Sequence, residues 1–253
     1  MTVHPAALVF ANVAAAYERG RPDYPRELLD WLVARGDVAR DRTVVDLGAG
    51  TGKLTRLLAG HGARVVAVEP LAEMRAELEA VVPQAEVLSG TAERIPLPDA
   101  SCDLLTCGQA FHWFATAPAL EEIARVIRPR GSLVLVWNVR DERDPIQRRL
   151  GELLAEHEDA GPSYARGDWR EALAACSTFE PDGELTSRTT RALDRAGLLD
   201  RVESTSYVAA IAGQERAELL ARVASLVPGD GRVELAYVTR AYAYSRRDAM
   251  MAR

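Results

Sequence analysis

One short segment of this chain limits its fold and its ligand more than any other: residues 44–54 read VVDLGAGTGKL. A strand-like apolar run passes directly into glycines at alternate positions, and a helical pattern follows. A second apolar run, at residues 65–68, ends in Glu69, which lies 23 residues after Asp46. Because glycine has no Cβ, the backbone of such a turn can approach a ligand closely, with the acid beside it. The pattern predicts a site for a nucleoside-containing cofactor.

The glycine spacing separates this turn from two common nucleotide-binding loops. Lys53 occupies the position where a dinucleotide-binding loop has its third glycine, and Asp46 stands before the first. No Gly-Lys-Ser/Thr sequence follows Gly48 at the spacing of a P-loop. The turn therefore favours neither NAD nor ATP.

Strand and helix patterns alternate from about residue 42 to residue 138. Apolar residues recur at helical spacing between the predicted strands, which lie at residues 43–47, 64–69, 85–88, 102–107 and 132–137. Two more strand patterns, at residues 179–187 and 232–244, are separated by helical segments around Leu198 and at residues 215–227. Parallel strands joined by right-handed helical crossovers form a sheet covered on both faces. The predicted fold class is α/β, a doubly wound and mostly parallel seven-stranded sheet.

The whole chain, residues 1–253, is predicted to form a single domain, because this length suits one large core with an insertion. The core comprises about residues 37–139 and 178–253, and residues 1–36 form an N-terminal lid. Residues 140–177 are polar and helix-prone, with prolines and glycines as breaks. We interpret them as a helical cap inserted after the fifth strand.

Composition favours small-molecule chemistry. The formal net charge is −6, whereas nucleic-acid-binding proteins usually present a basic face. The three cysteines lack CxxC spacing, which indicates reduced thiols rather than a disulfide framework or a zinc site, so no metal is predicted. No apolar run reaches the roughly 18 residues that span a bilayer, and no signal peptide is evident. We expect a cytoplasmic monomer or homodimer with no nucleic-acid or membrane partner.

Several ordered motifs, spread over most of the chain, resemble class I S-adenosylmethionine-dependent methyltransferases, in which an acid precedes GxGxG. The resemblance is closest to a small-molecule branch related to trans-aconitate methyltransferases. It implies a Rossmann-like methyltransferase fold with S-adenosyl-L-methionine as cofactor. Beyond the glycine turn, the motifs that carry it are Glu69, Thr91-Ala92-Glu93, the run Gly108-Gln109-Ala110-Phe111-His112-Trp113-Phe114, and Tyr17, Arg21-Pro22 and Tyr24-Pro25.

The resemblance implies a role for each residue of the turn. Gly48 and Gly50 would let the backbone approach the methionine part of the cofactor, and Gly52 would open the following helix. Asp46 would support the methionine amino group through water, and Glu69 would accept hydrogen bonds from both ribose hydroxyls. As alternatives, Asp46 caps the next turn, and Glu69 caps the helix that starts at position 71.

The remaining cofactor contacts are also implied by the resemblance. The backbone of Ala92 and the carboxylate of Glu93 would meet the adenine edge. The backbone at Gly108 or Gln109 would lie near the sulfonium. From the N-terminal segment, Tyr17 and Arg21 would close over the cofactor.

His112 follows the carboxyl end of the fourth strand, where open α/β sheets hold their ligands. A histidine there can act as a general base because its pKa lies near working pH. The alternative is that His112 only shapes the pocket. The predicted acceptor pocket is formed by the cap and includes Trp113, Trp137 and Trp169.

Two cap arginines, Arg166 and Arg170, could pair with a carboxylate of the acceptor, although a solvated helix face is the alternative. The sequence thus predicts transfer of a methyl group, by in-line displacement, to a small-molecule acceptor such as an organic acid carboxylate or a natural-product hydroxyl. The rival hypotheses are a non-catalytic S-adenosylmethionine-binding regulatory or scaffold protein, and a nicotinamide-dependent oxidoreductase.

Overall fold

The structure is a computed structural model that describes residues 7–8, 11, 14–157 and 162–247. Within these residues the chain forms seven strands: β1 (Thr43–Leu47), β2 (Arg64–Val68), β3 (Glu86–Leu88), β4 (Cys102–Gly108), β5 (Ile127–Arg140), β6 (Phe179–Leu193) and β7 (Val233–Arg246). They form one sheet in the order β3-β2-β1-β4-β5-β7-β6. The first five strands are parallel, while β7 lies antiparallel between β5 and β6. The predicted doubly wound, mostly parallel seven-stranded sheet is confirmed.

The described helices are α1 (Ala14–Gly20), α2 (Arg26–Ala34), α3 (Lys53–Ala59), α4 (Ala72–Val81), α5 (Ala117–Val126), α6 (Pro145–Ala155), α7 (Asp168–Ala174), α8 (Arg195–Glu203), α9 (Ser206–Ala210) and α10 (Gly213–Ala224). The start of α5 illustrates the local signals. Thr116 adopts an extended backbone, its hydroxyl accepts from the amide of Ala119 at 3.4 Å, and a proline stands in the first turn. No helix in the described ranges is long and apolar enough to cross a bilayer.

The central strands are apolar on both faces, and this is why helices cover both. Val45 packs in one cluster with α5, while its neighbour Val44 packs on the other face with α2 and α3. Both side chains are fully buried. Because successive side chains of a strand point to opposite faces, a continuous apolar run belongs in the middle of a three-layer fold.

The segment between β5 and β6 does not pack as one body. Leu150 and Leu153 of α6 pack with α8 and α10, whereas Trp169 of α7 lies in the cluster against the sheet. Three helices inserted between β6 and β7, α8 to α10, therefore form a second helical layer with α6. Parts of the predicted lid, cap and core lie outside the described residues; they are residues 1–6, 9–10, 12–13, 158–161 and 248–253.

The N-terminal segment is docked onto this second layer. Arg19 of α1 forms two hydrogen bonds with Asp200 of α8, at 2.7 and 2.9 Å. A Cβ on Gly20 would lie 2.5 Å from the backbone nitrogen of Arg201, so only glycine permits this approach of the two helices. The helices between β6 and β7 thus hold the N-terminal segment beside the sheet.

Candidate functional site

The carboxyl ends of the parallel strands border a cavity of about 1080 Å³. The strand order reverses between β1 and β4, and open α/β sheets bind their ligands at such a switch point. The cavity wall also includes residues of β5, β6, β7 and α8. A single continuous cavity therefore joins the glycine turn to the later half of the chain.

The glycine turn after β1 has left-handed backbone geometry at Gly48 (φ +68°) and Gly50 (φ +56°). A Cβ on Gly48 would lie 2.7 Å from the Cβ of Ala110, so glycine allows the turn to pack on the loop after β4. At Gly50 a Cβ would meet nothing within 4 Å, and the residue lines the cavity. The open space beside Gly50 is the part of the turn that a ligand can approach.

Gly52 has a different position. It lines neither the large cavity nor a small one near Asp46, and its Cβ would lie 2.9 Å from Cγ of Leu78 in α4. With φ at +88° it forms the N-cap of α3. Its observed contacts serve the packing of α3 against α4, in keeping with the expected opening of the helix.

Glu69 lines the cavity and is 6% exposed. Its two carboxylate oxygens accept from the backbone amides of Gly50, at 2.9 Å, and Leu71, at 3.0 Å. Burial raises the pKa of this carboxyl, although the two amides favour its charged form. Since a carboxylate offers about four acceptor positions, roughly two remain for a ligand. Glu69 therefore fixes the turn and the start of α4, and it can still receive hydroxyl groups.

Asp46 is fully buried and does not line the large cavity. Its carboxylate accepts from the hydroxyls of Thr55, at 2.7 Å, and Thr106, at 3.2 Å, which ties β1 to α3 and β4. Burial raises its pKa to about 6. A second, small cavity of about 30 Å³ lies beside Asp46, Gly48 and Tyr24, and this is enough space for a water molecule.

Tyr17 and Arg21 line both cavities. The Arg21 guanidinium donates to the hydroxyl of Ser204 at 3.1 Å and to its carbonyl oxygen at 2.8 Å, and it lies 5.1 Å from the centre of the Tyr17 ring. Desolvation, together with the nearby charge of Arg201, lowers the pKa of Arg21 to about 10. Two guanidinium groups therefore lie close together at the cavity, which favours an anion between or beside them.

The segment after β3 places Thr91, Ala92 and Glu93 in the cavity wall. Thr91 and Arg94 pair their backbones in a tight turn, with N–H···O distances of 3.1 and 3.3 Å. Ala92 is 4% exposed, while Glu93 is half-buried. The turn brings these predicted residues to the same cavity as Glu69.

At the end of β4, Gly108 and Gln109 also line the cavity. A Cβ on Gly108 would lie 2.6 Å from the hydroxyl oxygen of Tyr24, so its packing requires glycine. Gln109 has φ +59°, uncommon for a residue with a side chain, and its amide donates to the carbonyl of Asn138 at 2.8 Å. Left-handed backbone at a non-glycine residue is found often at ligand sites.

The three predicted pocket tryptophans are separated by the structure. Trp113 lines the cavity, but Trp137 and Trp169 do not. Both of these are buried, and their rings stack with centres 4.5 Å apart. Trp137 nevertheless reaches the cavity indirectly, because its Nε1 donates to Nδ1 of the cavity residue His112 at 3.2 Å.

The two cap arginines singled out from the sequence do not line the cavity. Arg170 lies 4.2 Å above the Trp169 ring and donates to the hydroxyl of Tyr242 at 2.9 Å, and Arg166 is exposed. The alternative was a solvated helix face. Arg170 is an exposed residue of α7 that also packs on Trp169, whereas Arg166 is exposed before that helix begins.

A different group of arginines lines the cavity, and sequence reasoning missed it. From β5 onward the wall contains five arginines but only two acids, Asp141 and Glu142. Asp141 is paired with Arg143 at 2.5 Å and lies 3.7 Å from Arg188. The five arginines are Arg140, Arg143, Arg188, Arg201 and Arg240. This part of the wall is positively charged in a chain whose net charge is −6.

Three members of this arginine wall, Arg140, Arg201 and Arg240, have no carboxylate partner among the described residues. Within those residues, the salt bridges of the wall are those of Arg143 and Arg188, both with Asp141. Arg201 is 8% exposed and donates only to neutral oxygens, the hydroxyls of Tyr237 at 3.2 Å and Thr205 at 3.3 Å. Buried cations without a counter-ion are costly, and an anionic ligand supplies one. No signal in local sequence marks these three residues, because they come from two strands, β5 and β7, and from α8.

Comparisons with known proteins agree with this geometry. A family model described as a methyltransferase domain matches residues 45–135. The chain is 43% identical over 221 residues to an uncharacterized methyltransferase of Mycobacterium tuberculosis strain H37Rv, covering 87% of this chain and 86% of the relative. It is 32% identical to an uncharacterized methyltransferase-like protein of Schizosaccharomyces pombe, covering 95% and 96%.

A solved structure from Anaeromyxobacter dehalogenans, described as a candidate type II methyltransferase, has a TM-score of 0.67 and 26% identity over 88% of this chain and 97% of that one. The chain therefore belongs to the S-adenosylmethionine-dependent methyltransferases. It is a methyltransferase enzyme, and S-adenosylmethionine is its cofactor.

The residues present fit this cofactor. The open space at Gly50 admits a ligand against bare backbone, and the free acceptor positions of Glu69 suit a pair of vicinal hydroxyls. The guanidinium of Arg21 suits a carboxylate. A cavity of about 1080 Å³ also exceeds the size of a single small ligand, so donor and acceptor can occupy it together.

Proposed function

We propose that this methyltransferase acts on a small organic acid and transfers the methyl group to a carboxylate oxygen, with a natural-product hydroxyl as the second candidate acceptor. The observation that carries the proposal is the arginine wall, in the same cavity as the glycine turn. A carboxylate arriving there would meet Arg140, Arg201 and Arg240, none of which has a carboxylate partner among the described residues. Guanidinium groups bind carboxylates through paired, charge-assisted hydrogen bonds.

We also propose the division of the cavity between donor and acceptor. Gly48, Gly50 and Glu69 would hold the methionine and ribose parts of the cofactor. The backbone at Ala92, with the Glu93 carboxylate, would meet the adenine edge. Gly108 and Gln109 would lie near the sulfonium.

Tyr17 and Arg21 would close over the methionine end of the cofactor. Asp46 would act on the methionine amino group through a water in the small cavity. The volume of about 30 Å³ and the hydrogen bonds that Thr55 and Thr106 already give to Asp46 support an indirect contact rather than a direct one.

One relative supports an acid acceptor. The chain is 29% identical over 177 residues, 62% of its length, to a malonyl-[acyl-carrier protein] O-methyltransferase of Enterobacter lignolyticus. The name of that protein gives a malonyl group on an acyl-carrier protein as the acceptor and O-methylation as the reaction. The similarity fits carboxyl O-methylation, as does the resemblance to the trans-aconitate branch, which stays a prediction.

The chemistry asks little of the protein beyond position. The bound sulfonium supplies the activation, because its sulfur becomes neutral when it loses the methyl group. The side chains must hold the nucleophilic oxygen in line with the methyl carbon at about 3–3.5 Å, and they must exclude water. A carboxylate needs no base, since it is already ionised at neutral pH.

The test is transfer of a labelled methyl group to a panel of carboxylic acids, phenols, alcohols and amines. We expect labelled products that release methanol in alkali, as methyl esters do and methyl ethers do not. Gly50→Arg should abolish the transfer by filling the open space beside the turn. If S-adenosylhomocysteine binds but no acid or hydroxyl compound of the panel is methylated, the proposed acceptor classes are wrong.

A paired set of variants tests the arginine wall. Arg240→Gln and Arg140→Gln should each raise the KM for the acid, while Arg166→Gln, outside the cavity, should leave it unchanged. Loss of one charge-assisted hydrogen bond corresponds to roughly 1.5–3 kcal/mol, or about a 10- to 150-fold change. If Arg240→Gln and Arg140→Gln leave the KM for the acid unchanged, as Arg166→Gln does, the acid-binding role is rejected.

A further inference from the structure

We propose that His112 is a fixed hydrogen-bond donor, not a base: its Nε2–H positions an acceptor oxygen that must arrive already ionised. This inference rests on the proposed methyl transfer to an organic acid and identifies the residue that orients the reacting oxygen. It also limits the acceptors to compounds that are ionised near neutral pH.

The hydrogen bond from Trp137 carries the inference. The indole nitrogen can only donate, and its Nε1 lies 3.2 Å from Nδ1 of His112. Nδ1 must therefore be unprotonated and act as the acceptor. In a neutral imidazole with Nδ1 unprotonated, the proton is on Nε2. The nitrogen that could remove a proton is thus already occupied, and the other one carries a hydrogen.

The donor Trp137 is held rigidly. It is fully buried, its ring stacks on Trp169 with centres 4.5 Å apart, and the ring of Tyr164 lies 5.1 Å away. A buried indole nitrogen without a partner would be costly, so the pairing with His112 is favoured over its loss. Trp137 and Trp169 therefore support His112 from behind the cavity wall, although neither of them lines the cavity.

The second ring nitrogen of His112, Nε2, is the one that a ligand can use. His112 lines the cavity, and no protein group among the described residues bonds to its Nε2. Gly108 and Gln109 at the end of β4 line the same cavity. The Nε2–H group is therefore available to a ligand bound there.

The electrostatic surroundings keep the ring neutral. Desolvation lowers the pKa of His112 to about 3, and the nearby charge of Arg21 acts in the same direction. None of the cavity carboxylates forms a hydrogen bond or an ion pair with the ring. The ionisable groups that share the cavity wall with it are the acids Glu69, Glu93, Asp141 and Glu142, the tyrosines Tyr17, Tyr164 and Tyr207, and the arginines Arg21, Arg140, Arg143, Arg188, Arg201 and Arg240.

The step then involves no proton transfer. A carboxylate oxygen forms the bond to the methyl carbon while the carbon–sulfur bond breaks, and its electron pair stays on the sulfur, which becomes neutral. The Nε2–H holds the attacking carboxylate in line through one of its oxygens. An acceptor that keeps its proton at neutral pH would have no group at His112 to take it.

The first test measures the tautomer directly, without any acceptor. In protein labelled with ¹⁵N-histidine, the signals of His112 are assigned by their absence in His112→Gln. We expect a protonated Nε2 and an unprotonated Nδ1 from pH 5 to pH 9. Trp137→Phe removes the fixed donor, and the tautomer preference should weaken. A protonated Nδ1, or a titration between pH 5 and pH 8 in the wild type, would overturn the proposal.

The second test separates donor from base. The amide of Gln can donate near the position of Nε2 but cannot act as a base, whereas Phe can do neither. With an organic acid, His112→Phe should reduce kcat/KM roughly tenfold or more, and His112→Gln should restore most of the loss. From pH 6 to pH 9 the profiles of the wild type and of His112→Gln should have the same shape, because any step near pH 6 comes from Asp46. Equal loss in both variants, or a step in the wild-type profile that His112→Gln removes, would refute the donor role.

The two tests fail in different ways. If no organic acid is methylated, the proposed acceptor class is wrong, while the tautomer experiment still decides the state of His112. If organic acids are methylated but His112 titrates or takes the other tautomer, only the donor proposal is wrong.

Discussion

The open space beside Gly50 gives a prediction with an internal control. Gly50 has φ +56° and Gly229 has φ +53°, and a Cβ at either position would meet nothing within 4 Å. Only Gly50 lines the cavity. Replacing each by alanine therefore imposes the same backbone cost at both positions, but it adds a methyl group to the ligand space at only one.

The magnitudes follow from this comparison. A left-handed alanine costs about 1–2 kcal/mol, and a chain of this length loses roughly 2–4 °C of Tm per kcal/mol. Gly50→Ala and Gly229→Ala should thus show similar Tm decreases of about 2–8 °C. The added methyl at Gly50 crowds a bound cofactor, and overpacking of about 1–3 kcal/mol predicts a roughly 5- to 150-fold loss of affinity.

The assay is calorimetric titration of S-adenosylhomocysteine into both variants and the wild type, with thermal unfolding measured in parallel. Gly229→Ala should bind like the wild type. Equal affinities in the two variants at equal Tm decreases would refute the assignment of the space beside Gly50 to the cofactor.

Three further predictions concern single contacts. Glu69→Gln should lower S-adenosylhomocysteine affinity at least about tenfold and reduce Tm, because an amide cannot accept from two backbone amides with both of its terminal atoms; titration and thermal unfolding check both effects. Asp46 has its folded-state pKa raised to about 6, so its contribution to stability is greatest below its unfolded-state pKa near 3.8 and is lost as pH rises through about 6. The difference in unfolding free energy between wild type and Asp46→Asn should therefore shift against the wild type between pH 4 and pH 6, by up to about 3 kcal/mol; a pH-independent difference would contradict this. Gly108→Ala should destabilise the protein because its Cβ would lie 2.6 Å from the Tyr24 hydroxyl, and Tyr24→Phe in the same chain should recover part of the lost Tm.

The residues proposed for the cofactor could be predicted from the sequence to share one cavity, because their signals are local. The turn at Gly48 and Gly50 follows its strand directly, and Glu69 follows the next strand. Parallel strands that neighbour each other bring their carboxyl ends to the same edge, so these residues meet without any knowledge of side-chain packing.

The arginines proposed to bind the acceptor could not be predicted from the sequence in the same way. Arg140, Arg188 and Arg240 come from β5, β6 and β7, and they converge only through the antiparallel pairing of β7 with both neighbours. The cap arginines Arg166 and Arg170 looked like better candidates because they accompany a tryptophan in a polar segment. In the structure, however, Trp169 stacks in the core and Arg170 lies against its ring, so neither residue lines the cavity.

The separation of the proposed donor residues from the arginine wall determines which substitutions could change the acceptor. The proposed donor side consists of backbone at Gly48 and Gly50 and of the Glu69 carboxylate, which two backbone amides hold, so we expect it to tolerate little substitution. Three arginines of the wall, Arg140, Arg188 and Arg240, are long side chains on strands whose own backbone hydrogen bonds do not depend on them. Substitutions there can alter which acid is bound while leaving cofactor binding intact. In the proposed site the buried Trp137 fixes the His112 ring through a hydrogen bond, so the orientation of the acceptor would depend on a residue of the core.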